Sequence, residues 1–151
     1  MDYDPTYGHL ALILAIYGVI IVSSLIFAVG AYVLTAVALM QFFRKVGVEP
    51  WAAWIPVYGY WKWLEVGGQP GPLALLTLVP YGSIVTTVFL AIGMYRTGFA
   101  FRKDSSWVVL GIFLPWLWCF LLARRTETYQ PELISQAGFP PPRAGFGSVP
   151  A

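Results

Sequence analysis

The stretch LALILAIYGVIIVSSLIFAVGAYVLTAVALMQFF, residues 10–43, carries no charged side chain. A helix of that length is roughly 50 Å long, while the hydrocarbon core of a bilayer is about 30 Å thick. It reads as a membrane-crossing helix with length to spare, absorbed by tilt, by a kink near Gly30, or by N-terminal turns that project from the membrane. No polar turn divides it into two spans. Ser23 and Ser24 are tolerated in mid-run because their hydroxyls can bond back to carbonyls of the preceding turn. Gly18, Ala28, Ala31 and Ala36 are small enough to allow close helix packing, but their spacing is not a clean small-xxx-small seam. Asp4-Pro5 marks the helix start, and residues 1–9 read as a short external N-terminus. With no basic n-region and an apolar run longer than a signal core, this segment is expected to stay as an anchor.

The rest of the composition agrees. Of 151 residues, 58% are hydrophobic and only 11% charged, too few charges to cover a water-soluble globule. The net charge of +2 and the scatter of its cations argue against a nucleic-acid partner. Those cations stand at the ends of apolar runs, as Arg44-Lys45, as Arg96 with Arg102-Lys103, and as Arg124-Arg125. That is how topology signals are distributed. The positive-inside rule puts Arg44 and Lys45 in the cytoplasm and the N-terminus outside. Val46-Gly47 is expected to close the helix before Lys45 and Glu49, four apart, can pair along it.

Behind that basic end comes EPWAAWIPVYGYWKWLEVGGQP, residues 49–70, whose aromatic density suits the headgroup layer. Pro50 and Pro56 bracket at most one helical turn. A second helical piece over Tyr58–Val66 would put Tyr60, Trp63 and Leu64 on one side and Tyr58, Lys62 and Glu65 on the other, lying along the surface. Gly67-Gly68-Gln69-Pro70-Gly71 is then a turn back into the bilayer.

Two further apolar runs follow, 72–101 and 106–123, each interrupted by a proline. At Pro80-Tyr81-Gly82-Ser83 the first either kinks and crosses or turns back as a re-entrant hairpin. Length favours the crossing and the charges favour the hairpin. The second bends at Pro115 and stops at Arg124-Arg125; in a hairpin topology it too would be re-entrant. The preferred reading is an all-α polytopic transmembrane protein of about three spans, 10–43, 72–101 and 106–123, with proline-bent helices, the interfacial aromatic segment 49–70, and the C-terminus inside. WIPVYG, LVPYGS and FLPWLW share an apolar-Pro-aromatic pattern at irregular spacing, which is no duplication. Residues 126–151 are rich in Pro, Gly and polar side chains and are predicted to be a disordered cytoplasmic tail. Its Pro140-Pro141-Pro142-Arg143 favours polyproline II.

Chemistry is sparse. The seven acids are Asp2, Asp4, Glu49, Glu65, Asp104, Glu127 and Glu132, none within an apolar run, so no paired carboxylates are expected to share a site. One histidine, His9, excludes a His-pair metal site, and one cysteine, Cys119, excludes a thiolate cluster or an intramolecular disulfide. Proton- or ion-coupled carriers place ionisable groups at membrane depth, and these runs have none. No catalytic, metal or cofactor-binding residue is assigned. The candidate contacts to a lipid headgroup or partner protein are Trp51, Trp54, Tyr58, Trp61, Lys62, Trp63 and Glu65. The ordinary reading of Lys62 and Glu65 is a solvated i,i+3 ion pair.

Trp51-Ala52-Ala53-Trp54-Ile55-Pro56-Val57-Tyr58, just after a Phe-Arg-Lys-Val-Gly helix end, resembles a W-x-A-x-I-P-x-Y motif. The motif is that of a family of small bacterial multi-span membrane proteins of unknown function, some fused to signal peptidase or called large exoproteins. The resemblance runs from about Val37 to Ala123 through Gly68-Gln69-Pro70, Val79-Pro80 and Phe113-Leu114-Pro115. It departs at Gly59, where the family has asparagine, so the bend here must be stabilised by something other than that amide. The resemblance implies a bacterial inner-membrane location and a compact helical fold, and carries over no catalytic residue. The function expected is a non-enzymatic accessory or scaffold that binds lipid or a membrane-protein partner. The alternatives are a small oligomeric transporter or channel, then a membrane-embedded enzyme; a homo-oligomer would favour the channel.

Overall fold

The computed structural model describes residues 5–147. Asp4, and with it the predicted helix cap, lies outside the described residues. Every regular element among the described residues is helical. The chain divides into two compact units, Met1–Leu34 and Thr35–Ala151.

The first unit is the outer part of helix α1, Pro5–Val46. Every residue from 9 to 34 is exposed. A protein in water rarely presents so large an apolar surface. Helix α1 is continuous through Gly30. Ser23 Oγ donates to the carbonyls of Val19 at 2.8 Å and Ile20 at 3.0 Å, the expected back-bond.

In the second unit α1 ends at Val46, where Gly47 turns left-handed at φ 85°. The N–H groups of Gly47 and Val48 both donate to the Phe43 carbonyl, at 3.0 and 2.9 Å, a C-cap of the glycine type. A 3-10 turn, Pro50–Trp54, leads into α2, Pro56–Val66, and a second 3-10 helix covers Gly71–Leu78. Then come α3, Gly82–Ala100; α4, Trp107–Phe113; α5, Pro115–Leu122; and α6, Glu132–Gln136. The core gathers Phe42, Phe43, Leu64, Trp118 and Leu122, all fully buried. Trp118 lies at its middle, with ring centroids 5.4 Å from Phe42 and 6.3 Å from Trp63.

Three expectations change. The 72–101 run is not one helix: it reverses at Pro80-Tyr81, where Tyr81 is left-handed at φ 63°. Its two parts lie side by side, since Thr86 Oγ1 donates to the Leu73 carbonyl at 3.2 Å. Gly82 makes the reversal possible, because a Cβ there would run into the Leu76 carbonyl. The 106–123 run is likewise divided, at Leu114, into helices of 7 and 8 residues, each roughly 10–12 Å long and far short of a bilayer core. They fold toward each other, so that a Cβ on Gly111 would lie 3.3 Å from Trp118 Cδ1. Pro115 removes the N–H that would have continued the first helix. Two helices, Tyr7–Val46 and Gly82–Ala100, remain long and apolar enough to cross a membrane.

The third change is the tail. Residues 126–147 are packed, not disordered, with Ile134 fully buried. Helix C-termini leave carbonyls without intrahelical donors, and the tail supplies three. Gln130 N–H donates to Ala100 at the end of α3 (2.8 Å), Arg143 N–H to Glu65 near the end of α2 (2.8 Å), and Gly147 N–H to Val46 at the end of α1 (2.9 Å). Tyr129 Oη donates to the Gly145 carbonyl at 2.7 Å. Phe139 sits edge-on to Tyr95, with centroids 5.9 Å apart. Few aliphatic side chains are needed when backbone donors and aromatic rings do the anchoring.

Candidate functional site

Two prolines shape the aromatic segment. Pro50 opens the 3-10 turn and Pro56 opens α2, each placed where the missing N–H has no helical partner to lose. Between them Ile55 is extended. The turn packs back on α2 through Gly59, where a Cβ would be 3.0 Å from the Ala52 carbonyl. The absence of a side chain at Gly59 is what allows this close backbone approach.

The seven candidate residues separate into two groups. Trp51 and Trp54 remain exposed, and Trp51 stacks on half-buried Tyr58 with centroids 5.3 Å apart and rings 16° from parallel. Lys62 Nζ lies 5.5 Å from the Tyr58 ring centroid, within cation–π range. The others are turned to internal use. Trp63 is 3% exposed and belongs to the core. Trp61 lies over Gly71, whose missing side chain makes room for the indole, and donates Nε1–H to Glu65 Oε1 at 2.8 Å. Glu65 Oε2 accepts from Lys62 at 3.0 Å. Burial lowers the Lys62 pKa, but the hydrogen bond and charge of Glu65, then Tyr58 and Glu49, outweigh it and hold the ammonium above its usual 10.5. Trp61, Lys62 and Glu65, all on α2, thus form one polar cluster in which each Glu65 oxygen accepts a hydrogen bond.

What the linear reading missed is where the basic ends go. Lys45 Nζ donates to the Arg124 carbonyl at 3.2 Å, Arg102 Nε to Gln130 Oε1 at 3.1 Å, and Lys103 Nζ pairs with Glu127 at 2.8 Å. Lys103 also sits 4.7 Å from the Trp107 centroid. The C-terminal ends of α1, α3 and α5 are therefore joined, with the tail, in one basic region. The only sequence signal was that each cluster follows an apolar run. That the runs end together needed the Pro80 and Pro115 reversals to be read as turns. The apolar turns themselves are open: Leu78, Tyr81, Ile84 and Phe113 are all exposed. Among the described residues no group of three His, Cys, Asp or Glu is placed to hold a metal.

This is an all-helical protein with two helices of membrane-spanning length and apolarity, a proline-shaped aromatic edge and a basic region formed by three helix ends. Residues 51–132 match DUF5684, a family of unknown function, over more than half of the chain, and the chain belongs to that family. Comparison with curated proteins and with solved structures gives no match.

Proposed function

We propose that the chain is an integral protein of the bacterial inner membrane that crosses once and enters the bilayer twice more from the cytoplasmic side. In this reading it is a non-enzymatic accessory or scaffold whose aromatic edge, the exposed Trp51 and Trp54 with the half-buried Tyr58 beneath Trp51, holds a membrane-protein partner at headgroup level. The joining of Lys45, Arg102, Lys103 and Arg124 in one region carries the topology, because the positive-inside rule places that region in the cytoplasm. Helix α1 then crosses with its N-terminus outside. The segments 71–100 and 107–122 enter from the cytoplasmic side and turn within the bilayer at Pro80-Tyr81 and Leu114-Pro115. Their exposed apolar turns support this, and it relieves the charge conflict that a crossing of 72–101 would create at Arg102-Lys103.

Ser105→Cys in a Cys119→Ala background tests the topology. Labelling only from the cytoplasmic side is expected; labelling from the periplasm would restore three crossings. For the scaffold role, crosslinking in native membranes should capture a defined partner that Trp51→Ala/Tyr58→Ala loses while still accumulating in the membrane. Ion or solute flux through vesicles reconstituted with the pure protein would sink the scaffold reading in favour of an oligomeric channel.

A further inference from the structure

Where the tail meets the ends of α1 and α5 it leaves a pocket of about 450 Å³, within the roughly 300–1,000 Å³ of small-molecule sites. Its walls are charged. Lys45 from the last turn of α1, Arg125 just past α5, and Glu127 and Glu132 from the tail all line it, together with Thr128 and Phe146. Glu127 is matched from outside the pocket by Lys103, whose Nζ lies 2.8 Å from Oε1. Lys45 uses one donor on the Arg124 carbonyl, 3.2 Å away, a neutral group that leaves the ammonium without a counterion. The side chains of Arg125 and Glu132 form neither a hydrogen bond nor an ion pair among the described residues. The pocket therefore presents two uncompensated cations and one uncompensated carboxylate. A simple anion would be opposed by Glu132, and a simple cation by Lys45 and Arg125. A ligand that carries both charges on one short group satisfies all three.

We propose that this pocket binds the headgroup of phosphatidylethanolamine, with the phosphodiester on Arg125 and Lys45 and the ammonium on Glu132. A guanidinium offers a planar fork of donors that matches phosphate oxygens, and the lysine adds a point charge. A primary ammonium keeps N–H groups to donate to the carboxylate, which the quaternary ammonium of choline lacks. Phosphatidylglycerol would bring the phosphate and leave Glu132 uncompensated. In the topology proposed above Lys45 stands where α1 leaves the bilayer, so the pocket lies at the level of the lipid phosphates. The Phe146 ring, 72% exposed on the pocket wall, suits that level. The choice of a lipid over a soluble phosphoester rests on that topology, whereas the match of charges does not.

The test uses the full chain in phosphatidylcholine vesicles that contain a minor share of phosphatidylethanolamine, treated with a water-soluble carbodiimide. The reagent activates a carboxylate, and the primary amine of a lipid in contact with it forms an amide; the water lost is taken up by the reagent as a urea. Adducts are mapped by peptide mass spectrometry. A lipid adduct at Glu132 is expected, in excess of that at the exposed Glu49, which reports chance encounters with bulk headgroups. Arg125→Gln, at an exposed position, should lower the Glu132 adduct about tenfold and leave the Glu49 adduct unchanged. A Glu132 adduct no stronger than that at Glu49, or one unmoved by Arg125→Gln, would overturn the assignment. Suppression of the Glu132 adduct by phosphatidylglycerol, when it replaces the phosphatidylcholine, would overturn the zwitterion in favour of an anionic headgroup. Equal labelling of Glu132 by soluble glycerophosphoethanolamine, offered to the protein in detergent, would replace the lipid with a soluble phosphoester. Protein that fails to float with the vesicles would remove the membrane reading and the lipid source with it, whatever glycerophosphoethanolamine does at Glu132.

Discussion

The outer stretch of α1 and helix α3 are both long and apolar enough to cross a membrane, but they differ in what covers them. None of the most apolar window of α1 is buried by the protein, whereas 39% of that of α3 is. A side chain on the first acts only through its preference for its surroundings. A side chain on the second also acts through packing, which inside a bilayer outweighs that preference because lipid is as apolar as leucine. Hydropathy ranks both helices as spans and cannot separate these roles.

Two phenylalanines on α1 give the largest expected contrast. Phe27 is 78% exposed and Phe42 fully buried against Phe43, Phe101 and Trp118. Phe42→Ala should cost about 3–5 kcal/mol through the cavity it leaves, and Phe27→Ala no more than about 0.5 kcal/mol. Thermal denaturation in detergent micelles would show the difference. Equal losses would mean that the outer stretch is packed as well, and the comparison would break.

Glycine substitutions sharpen the contrast by changing its sign. At Gly30 an added Cβ meets nothing within 4 Å, so Gly30→Ala should stabilise the helix by up to about 1 kcal/mol. At Gly82 the same atom meets the Leu76 carbonyl. A backbone carbonyl in a tight reversal cannot move aside as a side-chain tip can, so Gly82→Ala should cost about 1–3 kcal/mol or more. A neutral Gly82→Ala would show that the Pro80-Tyr81 reversal is looser than its packing implies.

The same contrast explains what could be read in advance. The helical class, the end of α1 at Val46-Gly47 and the split of the aromatic segment at Pro56 follow from local rules of charge, glycine and proline, and all three are in the sequence. The face assignment of α2 was legible because 3.6-residue periodicity puts Trp63 and Leu64 together whatever covers them. The reversals at Pro80 and Leu114 were legible only as alternatives, since a proline in an apolar run permits a kink or a turn and tertiary contacts decide. The fate of Trp61 was not legible at all: it depends on Gly71, across a turn, leaving room for the ring. Nor was the tail. Its order comes from backbone donors that reach three helix ends, and composition does not record backbone donors.

The tail supplies a smaller effect of its own. Tyr129→Phe removes the bond to the Gly145 carbonyl and should cost about 1 kcal/mol, seen as faster limited proteolysis within residues 139–147. Burial, then the charge of Glu132, holds the Tyr129 hydroxyl above its usual 10.0. Below that pH the group is neutral folded or unfolded, and its contribution is complete. As pH rises past about 10 the unfolded chain ionises first, so stability falls. Wild-type protein should therefore lose tail protection on going from pH 9 to pH 11 more steeply than Tyr129→Phe. Parallel losses would assign the alkaline sensitivity to other groups.

The smallest effect belongs to the polar side of α2. Lys62 and Glu65 are partly exposed, at 21% and 18% of their side-chain surface, so solvent screens the pair and Lys62→Ala should cost well under 1 kcal/mol. The raised pKa of Lys62 means that this contribution is present throughout the neutral range and fades only as pH climbs above about 10.5. On the opposite side of the same helix Trp63→Asp puts a carboxylate beside Trp118 and should prevent stable accumulation. Comparable membrane levels for the two variants would mean that α2 is held by its polar cluster and not by its buried face. The helix would then resemble the exposed outer stretch of α1 more than the packed α3.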